Sequence, residues 1–269
     1  MSQRDDYEPG VPCWVDTLQP DPDAAMAFYA GLFGWEYAGP GDMPGDPPGR
    51  YYVARLRWRD VAGVGSLPAT SPPPAAGWNT YVYVASADEA ARAARSAGGS
   101  VVTEPVDVFP AGRLAVLADP AGAVFCAWEP GERKGAQLVN EPGAWAMSHL
   151  QTPEPERAAA FYGAIFGWTT ETFGEGAGAI TMFRMPGYVG GEPRQPVSRE
   201  VIATLGAANG DGAAGWGINL WDHDVDASAA KAVELGGRAV VAPFDTLMSR
   251  MAVLADPHGV AFSISNVPG

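Results

Sequence analysis

The chain has 269 residues, of which 47% are hydrophobic, and a formal net charge of −14 at pH 7. This length suits two domains of about 130 residues, each able to bury a core without disulfides or metals. So acidic a surface would repel nucleic-acid phosphates and anionic lipids, which argues against nucleic acid or a membrane as a partner.

The first quarter of the sequence predicts a strand, a helix and two further strands. The helix is indicated by Asp21 as its N-terminal cap, by a proline in its first turn and by apolar residues at helical spacing, and Gly34 ends it. The predicted elements are a strand over Pro12–Leu18, a helix over Pro22–Phe33, a flexible loop over Gly39–Gly49, and strands over Tyr51–Trp58 and Val61–Leu67 joined by a turn at Arg59 and Asp60.

The same order of elements recurs along the rest of the chain. After a proline-rich loop, the first half continues with a strand at Asn79–Val84, a helix at Ala87–Ala97, and strands at Val101–Glu104, Arg113–Ala118 and Ala123–Glu129. The second half is predicted to contain strands at Trp145–Leu150, Ile180–Met185, Tyr188–Gly191, Trp216–Trp221, Ala239–Ala242, Arg250–Ala255 and Val260–Ser265, with helices at Pro155–Phe166 and Val225–Leu235. Residues 193–211 are less patterned and are predicted to form a mobile flap.

The N-terminal residues do not resemble a signal peptide, and no stretch approaches the roughly 20 apolar residues of a membrane-spanning helix. Cys13 and Cys126 are too few and too unpatterned for a disulfide framework or a structural zinc site. We therefore expect a soluble cytoplasmic protein with two free thiols.

Two phrases of the sequence occur twice. Phe-Tyr followed by Phe-Gly-Trp ends at Trp35 and again at Trp168, and an Ala-Val-Leu-Ala-Asp-Pro-x-Gly run ends at Gly122 and again at Gly259. Such self-similarity indicates a tandem duplication. We predict an α+β protein with domains at residues 1–138 and 139–269, each built from two β-α-β-β-β units.

These repeated phrases resemble the vicinal oxygen chelate superfamily, which includes glyoxalase I, bleomycin-resistance proteins and extradiol dioxygenases. The opening around Trp14 and the segment Gly135–Glu141 are similar to a two-domain actinobacterial branch that includes a mycobacterial glyoxalase-like antigen and accessory proteins of anthracycline biosynthesis. The resemblance implies that each domain is an incomplete barrel around a cleft. It does not by itself assign an activity, because one fold hosts many functions.

The resemblance also implies where metal ligands would stand, and these positions hold unsuitable residues. The first-strand position is Trp14 in one half and Met147 in the other, the fifth-strand position is Asn79 or Gly217, and the last-strand position is Cys126 or Ser263. Zinc, nickel or iron needs three or four converging His, Asp or Glu side chains. We therefore expect no metal and no other cofactor.

Residues two apart on a strand share a face, so the cleft-facing set can be predicted by alternation. His149 shares a face with Met147, and Asp16 is its counterpart in the first half; each is either structural or a group for ligand contact or acid–base work. Tryptophan and tyrosine on the same strands suit a flat, largely apolar ligand, although an aromatic core is the alternative. The predicted ligand-binding residues are Trp14, Asp16, Asn79, Tyr81, Cys126, Trp128, Met147, His149, Trp216, Asn219, Trp221 and Ser263.

Three functions are compatible with the sequence. The first is metal-free binding of an aromatic antibiotic or polyketide intermediate, for self-resistance or as an accessory to a biosynthetic oxygenase. The second is catalysis, either by a glyoxalase-type lyase or by a cofactor-independent oxygenase or isomerase that uses Asp16 or His149. The third is a protein-interaction or regulatory module, indicated only by the acidic surface and the proline-rich loops.

Overall fold

The computed structural model describes residues 3–43, 48–67, 77–176, 179–190, 200–208, 212–246 and 249–266. In the first half, the elements are β1 (Pro12–Gln19), α1 (Pro22–Phe33), β2 (Glu36–Met43), β3 (Gly49–Leu56), β4 (Arg59–Ser66), β5 (Gly77–Tyr83), α2 (Ala87–Ser96), β6 (Ser100–Val108), β7 (Gly112–Ala118) and β8 (Val124–Pro130). In the second half, they are β9 (Trp145–Thr152), α3 (Pro155–Phe166), β10 (Thr169–Phe173), β11 (Ile180–Arg184), β12 (Val201–Ala207), β13 (Gly215–Asp222), α4 (Val225–Glu234), β14 (Arg238–Asp245), β15 (Arg250–Ala255) and β16 (Ala261–Asn266).

Each half folds into one curled sheet of eight strands. The strand order is β2-β3-β4-β1-β5-β8-β7-β6 in the first sheet and β10-β11-β12-β9-β13-β16-β15-β14 in the second. In both sheets the first strands of the two units pair antiparallel at the centre, and each also pairs in parallel with the last strand of its own unit. The predicted architecture of two tandem domains, each an incomplete barrel of β-α-β-β-β units, is confirmed.

Four details of the predicted elements are wrong. Residues Val201–Ala207, assigned to a flap, form β12, which lies beside β9 near the middle of the second sheet. The strand predicted from Tyr188 is absent from the described residues 185–190. Two unpredicted strands form the ends of the sheets: β2 includes residues predicted to be a loop, and β10 lies where no strand was predicted. The turn between β3 and β4 lies at Arg57 and Trp58 rather than at residues 59–60.

The cores are shared between the halves. One core joins α1 and the first β-unit to the last unit of the chain, so that Phe28 and Tyr29 pack with Phe262. The other core joins the second unit to the third, with Phe125 against Phe161 and Tyr162. Because each core contains side chains from both halves, the two sheets pack through their helix-bearing faces, and their other faces are turned away from each other.

The duplicated Phe-Tyr and Asp-Pro motifs meet across this junction. The Tyr29 hydroxyl, from the first half, donates to Asp256 Oδ2 at 3.2 Å, and the Tyr162 hydroxyl, from the second half, donates to Asp119 Oδ2 at 3.4 Å. Burial raises the pKa of the Asp119 carboxyl. Trp35 and Trp168, predicted to be core residues, are both about 3% exposed and donate to backbone carbonyls. None of the helices in the described part of the chain is long and apolar enough to cross a membrane.

Candidate functional site

The face of each sheet opposite the helices carries a row of side chains across the central strands. In the first sheet, Trp14 on β1 lies opposite Tyr81 on β5, and Tyr81 lies beside Cys126 on β8. In the second sheet, Met147 on β9 lies opposite Asn219 on β13 and Asn219 beside Ser263 on β16. The alternation predicted from the sequence therefore brings these side chains together in two clefts, one per half.

In the N-terminal cleft the polar groups satisfy one another. Asp16 is 1% exposed, and its carboxylate accepts three hydrogen bonds: from Tyr81 at 2.6 Å, Asn79 at 2.8 Å and Tyr51 at 3.0 Å. Trp14 Nε1 donates to the same Tyr51 hydroxyl at 2.9 Å. The neighbouring strand β4 leaves space for this cluster at Gly63, which pairs with Asp16, because a Cβ on Gly63 would overlap the Tyr51 hydroxyl.

Burial raises the pKa of Asp16, and the three donated hydrogen bonds counteract this shift. Asp16 also raises the pKa values of Tyr51 and Tyr81, after burial, which is the larger cause. Every acidic proton in this cluster is therefore held more tightly than in water. The arrangement is that of a closed structural network rather than that of an exposed acid or base.

The other predicted residues of this cleft are also engaged with the protein. Trp128 Nε1 donates to the Arg133 carbonyl at 2.9 Å, and its ring packs edge-on against Tyr81. Cys13 and Cys126 are free, as predicted, and buried; burial raises the pKa of both thiols. Such thiols are poor nucleophiles, because the reactive form is the thiolate.

The C-terminal cleft contains a cavity of about 570 Å³. Its walls are formed by three methionines, two tryptophans and several uncharged polar side chains. The principal lining side chains are Met147, His149, Gln151, Met182, Thr204, Asn219, Trp221, Ser249, Met251, Val253, Ser263, Ser265 and Asn266. A cavity of this size and polarity is typical of small-molecule sites.

His149 is set over a glycine at the floor of this cavity. In the sheet, His149 on β9 is the register partner of Gly217 on β13 and of Thr204 on β12. A Cβ on Gly217 would overlap the His149 imidazole. Burial lowers the pKa of His149 to about 4, from an ordinary value of 6.5. The imidazole is therefore neutral at pH 7.

Asn219 is fixed beside His149 by two serines. Its Oδ1 accepts from Ser265 Oγ at 2.8 Å and its Nδ2 donates to Ser263 Oγ at 3.0 Å, while Ser263 itself donates to the Ile218 carbonyl at 3.0 Å. This chain of bonds sets the orientation of the amide. One Nδ2 hydrogen is left without a partner among the described residues.

One predicted ligand-binding residue is placed differently. Trp216 borders the cavity, but its indole Nε1 donates to the Tyr162 hydroxyl at 2.9 Å and its ring packs in the core. The reason is strand parity, because Trp216 is one residue from Gly217 and so faces the helices. Trp78 repeats this arrangement with Tyr29 in the first half.

Other cavity residues were missed by the sequence reasoning. Met251 lies on a strand that was predicted, so its alternation with Ala252 could have identified it. Thr204 lies on β12, which was assigned to the flap, and its position carried no usable signal. Gln151 covers Gly206, which is on the same strand as Thr204.

The donor set does not fit a divalent metal. Within the described ranges, no group of three or more His, Cys, Asp or Glu side chains is arranged to hold a metal ion. The row Trp14–Tyr81–Cys126 offers one protonated thiol, and the row Met147–Asn219–Ser263 offers a thioether, an amide and a hydroxyl. His149 stands alone beside the second row.

Comparison with known proteins gives one family. The model of the glyoxalase-like domain matches residues 14–128 and again residues 146–265. CFP32 of Mycobacterium tuberculosis, which carries the provisional name of a glyoxylase, is 36% identical over 272 residues, covering 98% of this chain and 97% of that protein. The anthracycline biosynthesis protein DnrV of Streptomyces peucetius is 33% identical over 270 residues, covering 96% and 94%.

Solved structures with the same fold are more distant in sequence. The Mn(II)-bound glyoxalase from Novosphingobium aromaticivorans has a TM-score of 0.64 at 15% identity, covering 97% of this chain and 83% of that one. The 2,3-dioxygenase LapB from Pseudomonas sp. KL28 has a TM-score of 0.65 at 11% identity, covering 98% and 94%. At such identities the likeness concerns the fold alone.

Proposed function

The chain belongs to the glyoxalase-like family of the vicinal oxygen chelate superfamily, with one domain copy in each half, and from this premise we propose that it binds a flat aromatic small molecule without a metal. The binding site is the cavity of the C-terminal cleft. The observation that carries the proposal is the composition of its walls, which combine thioether and indole surface with uncharged hydrogen-bonding groups.

The walls suit a planar aromatic ring. Met147, Met182 and Met251 present flexible, polarisable thioethers, which contact aromatic rings favourably at their edges and faces. Trp221 adds an indole, on the same face of β13 as Asn219. Stacking and edge contacts of this kind contribute about 0.5–1.5 kcal/mol each beyond burial.

The polar groups of the cavity favour an uncharged ligand with carbonyl or hydroxyl substituents. Among the described residues that line the cavity, none is an aspartate, glutamate, lysine or arginine. A ligand carboxylate or phosphate would therefore lose its hydration without gaining a counter-charge. His149, Asn219 and Gln151 offer hydrogen bonds to neutral groups instead.

The N-terminal cleft is a poorer candidate because its polar groups already bond to one another. A ligand there would have to break the bonds that Asp16 receives from Tyr51, Tyr81 and Asn79, at a cost of about 0.5–1.5 kcal/mol for each bond not replaced. The duplication thus supports a division of roles, with one half structural and the other binding.

The proposed binding does not use the metal-dependent chemistry of the superfamily. The positions that the superfamily uses for ligands hold Met147, Gly217 and Ser263 in the binding half, and they do not fit a divalent ion. The names of the anthracycline biosynthesis relatives support an accessory role in the biosynthesis of an aromatic compound. Protection of the producing cell, or removal of product from a biosynthetic oxygenase, would both follow from such binding.

A fluorescence titration tests the proposal. Purified protein is titrated with 1,8-dihydroxyanthraquinone, and quenching of the intrinsic tryptophan emission is followed. We expect saturable quenching with micromolar or tighter affinity, about −8 kcal/mol. Quenching that rises linearly without saturation, across a panel of planar anthraquinones and naphthoquinones, would contradict the proposal.

A further inference from the structure

The C-terminal cavity contains a single titratable side chain within its described lining. That side chain is His149, and the groups facing it are uncharged on every neighbouring strand: Met147 and Gln151 on β9, Thr204 on β12, Gly217 and Asn219 on β13, and Ser263 on β16. Burial alone, and no neighbouring charge, lowers the pKa of His149 to about 4. A neutral imidazole in a cavity lined by uncharged side chains is a proton acceptor at physiological pH.

The imidazole does not serve an evident structural purpose. No side chain or backbone group of the described residues forms a hydrogen bond with it, whereas its counterpart Asp16 has three donors. Gly217 leaves the space that the ring occupies, since any side chain there would overlap it. The equivalent position in the first half is Asn79, which is bonded to Asp16. The second half thus has a histidine without a hydrogen-bond partner among the described residues, at the position where the first half has the hydrogen-bonded Asp16.

Asn219 supplies the complementary donor. Ser263 and Ser265 hold its amide, and one Nδ2 hydrogen remains for a ligand oxygen. Asn219 lies two residues from Gly217, the partner of His149, so the Cα atoms of Asn219 and His149 are diagonal neighbours about 7–8 Å apart on adjacent strands. Side chains that project from such positions on one face can contact opposite edges of a six-membered ring, one with a carbonyl and the other with an acidic C–H.

We infer, on the basis of the proposed binding function, that the C-terminal cleft catalyses proton transfer on a neutral planar ketone, with His149 as the base and Asn219 as the donor to the carbonyl oxygen. His149 removes a proton from the acidic carbon, the C–H electron pair enters the ring, and the carbonyl π pair moves to the oxygen held by Asn219 Nδ2. The imidazolium then returns a proton, either to the same carbon or, through water, to the oxygen. The products are the ketone and its enol; nothing is oxidised or reduced.

Deuterium exchange into anthrone under argon tests this inference. Anthrone is a planar tricyclic ketone with an acidic methylene opposite its carbonyl. We expect wild-type protein in D₂O to accelerate exchange at that methylene about 100-fold or more over buffer, in a saturable manner, as measured by mass spectrometry. The His149→Gln variant keeps a neutral side chain that can form hydrogen bonds, and we expect it still to bind anthrone saturably but to exchange it at the buffer rate.

The matched control is His223→Gln, which removes an exposed histidine and should leave exchange unchanged. A pH profile of the wild-type protein provides a check that needs no variant: exchange of bound anthrone should be flat from about pH 5 to 8, because the imidazole with a pKa of about 4 is neutral throughout. Binding of anthrone without accelerated exchange, equal exchange by His149→Gln, or a rate proportional to hydroxide would overturn the inference alone. Failure of anthrone to bind would contradict the proposed function as well.

Discussion

The Tyr81 hydroxyl donates to Asp16 Oδ2 at 2.6 Å in the N-terminal cleft, whereas the equivalent positions of the C-terminal cleft, Asn219 and His149, are not bonded to each other. The two halves share one fold and a common origin, yet one cleft closes on itself and the other retains an open cavity. This asymmetry underlies the binding proposal.

The first prediction concerns the pH dependence of stability. Because burial raises the pKa of Asp16, the folded protein binds this proton more tightly than the unfolded chain does. The contribution of Asp16 to the free energy of unfolding is therefore full below the unfolded pKa of about 3.9 and declines as pH rises towards the raised folded value.

The Asp16→Asn variant cannot titrate, so the stability of wild type minus that of the variant should fall with rising pH. Urea unfolding at pH 4, 5, 6, 7 and 8 measures this difference. Asp42→Asn, at an exposed position, serves as the control for loss of a carboxylate. A difference that is constant or increases with pH would show that burial does not raise the pKa of Asp16 in the folded protein.

The second prediction concerns binding by Trp221. The Trp221→Ala change should weaken anthraquinone binding by about 1–3 kcal/mol, because it removes stacking and buried apolar surface. Trp35→Ala should instead lower the free energy of unfolding by about 3–5 kcal/mol and leave the affinity of the folded protein unchanged, since Trp35 lies in the core and donates to the Gly143 carbonyl. Calorimetric titration below the melting temperature separates the two effects, and equal affinity losses in both variants would argue against Trp221 as a cleft residue.

The sequence was sufficient to predict the duplication, the order of most elements and the rows of cleft-facing residues. These features depend on local signals: the repeated motifs, glycine stops and strand alternation. Trp221 and Trp216 illustrate both the strength and the limit of such reasoning. Alternation relative to Gly217 places Trp221 on the cavity face and Trp216 on the face towards the helices. Trp216 was predicted as a ligand-binding residue from its place on a cavity-wall strand; it borders the cavity, but its indole is bonded within the core.

Features that depend on distant parts of the chain were not predictable. The edge strand β2 contains Gly39, Pro40 and Gly41, which read as a loop because proline and glycine are unfavourable in strands, except at an edge. The closure of the N-terminal cleft requires Tyr51, which reaches Asp16 from β3, two strands away from β1. No local pattern indicates such a contact.

The third prediction concerns the paired ties between the halves. Tyr29→Phe removes the hydroxyl that accepts from Trp78 Nε1 and donates to Asp256. Tyr162→Phe removes the hydroxyl that accepts from Trp216 Nε1 and donates to Asp119. Each change leaves buried polar groups unpaired, so each should cost about 1–3 kcal/mol. Tyr52→Phe, whose hydroxyl accepts from the exposed Arg50, should cost less than about 0.5 kcal/mol. Chemical denaturation gives all three values, and a cost for the two buried changes no larger than that for Tyr52 would contradict the account.

The fourth prediction concerns metals. Protein purified without affinity tags should contain less than about 0.1 equivalent of zinc, nickel, manganese or iron, since Met147, Gly217 and Ser263 stand where ligands would be needed. A chelator should leave the melting temperature and the anthraquinone affinity unchanged. Elemental analysis that finds one metal per chain, lost together with binding on chelation, would refute the metal-free site.

Methyl NMR of the methionines tests most directly whether the C-terminal cleft is the binding site. The protein is labelled with [¹³C-methyl]methionine, and Met→Leu changes assign the signals. Met147, Met182 and Met251 line the C-terminal cavity, whereas Met43 packs near Gly65 and Tyr51 on the N-terminal cleft side. The account predicts that a planar anthraquinone shifts the first three signals by ring currents, with a common dissociation constant, and leaves Met43 unmoved. Saturable binding that shifts Met43 and leaves the other three in place would contradict it.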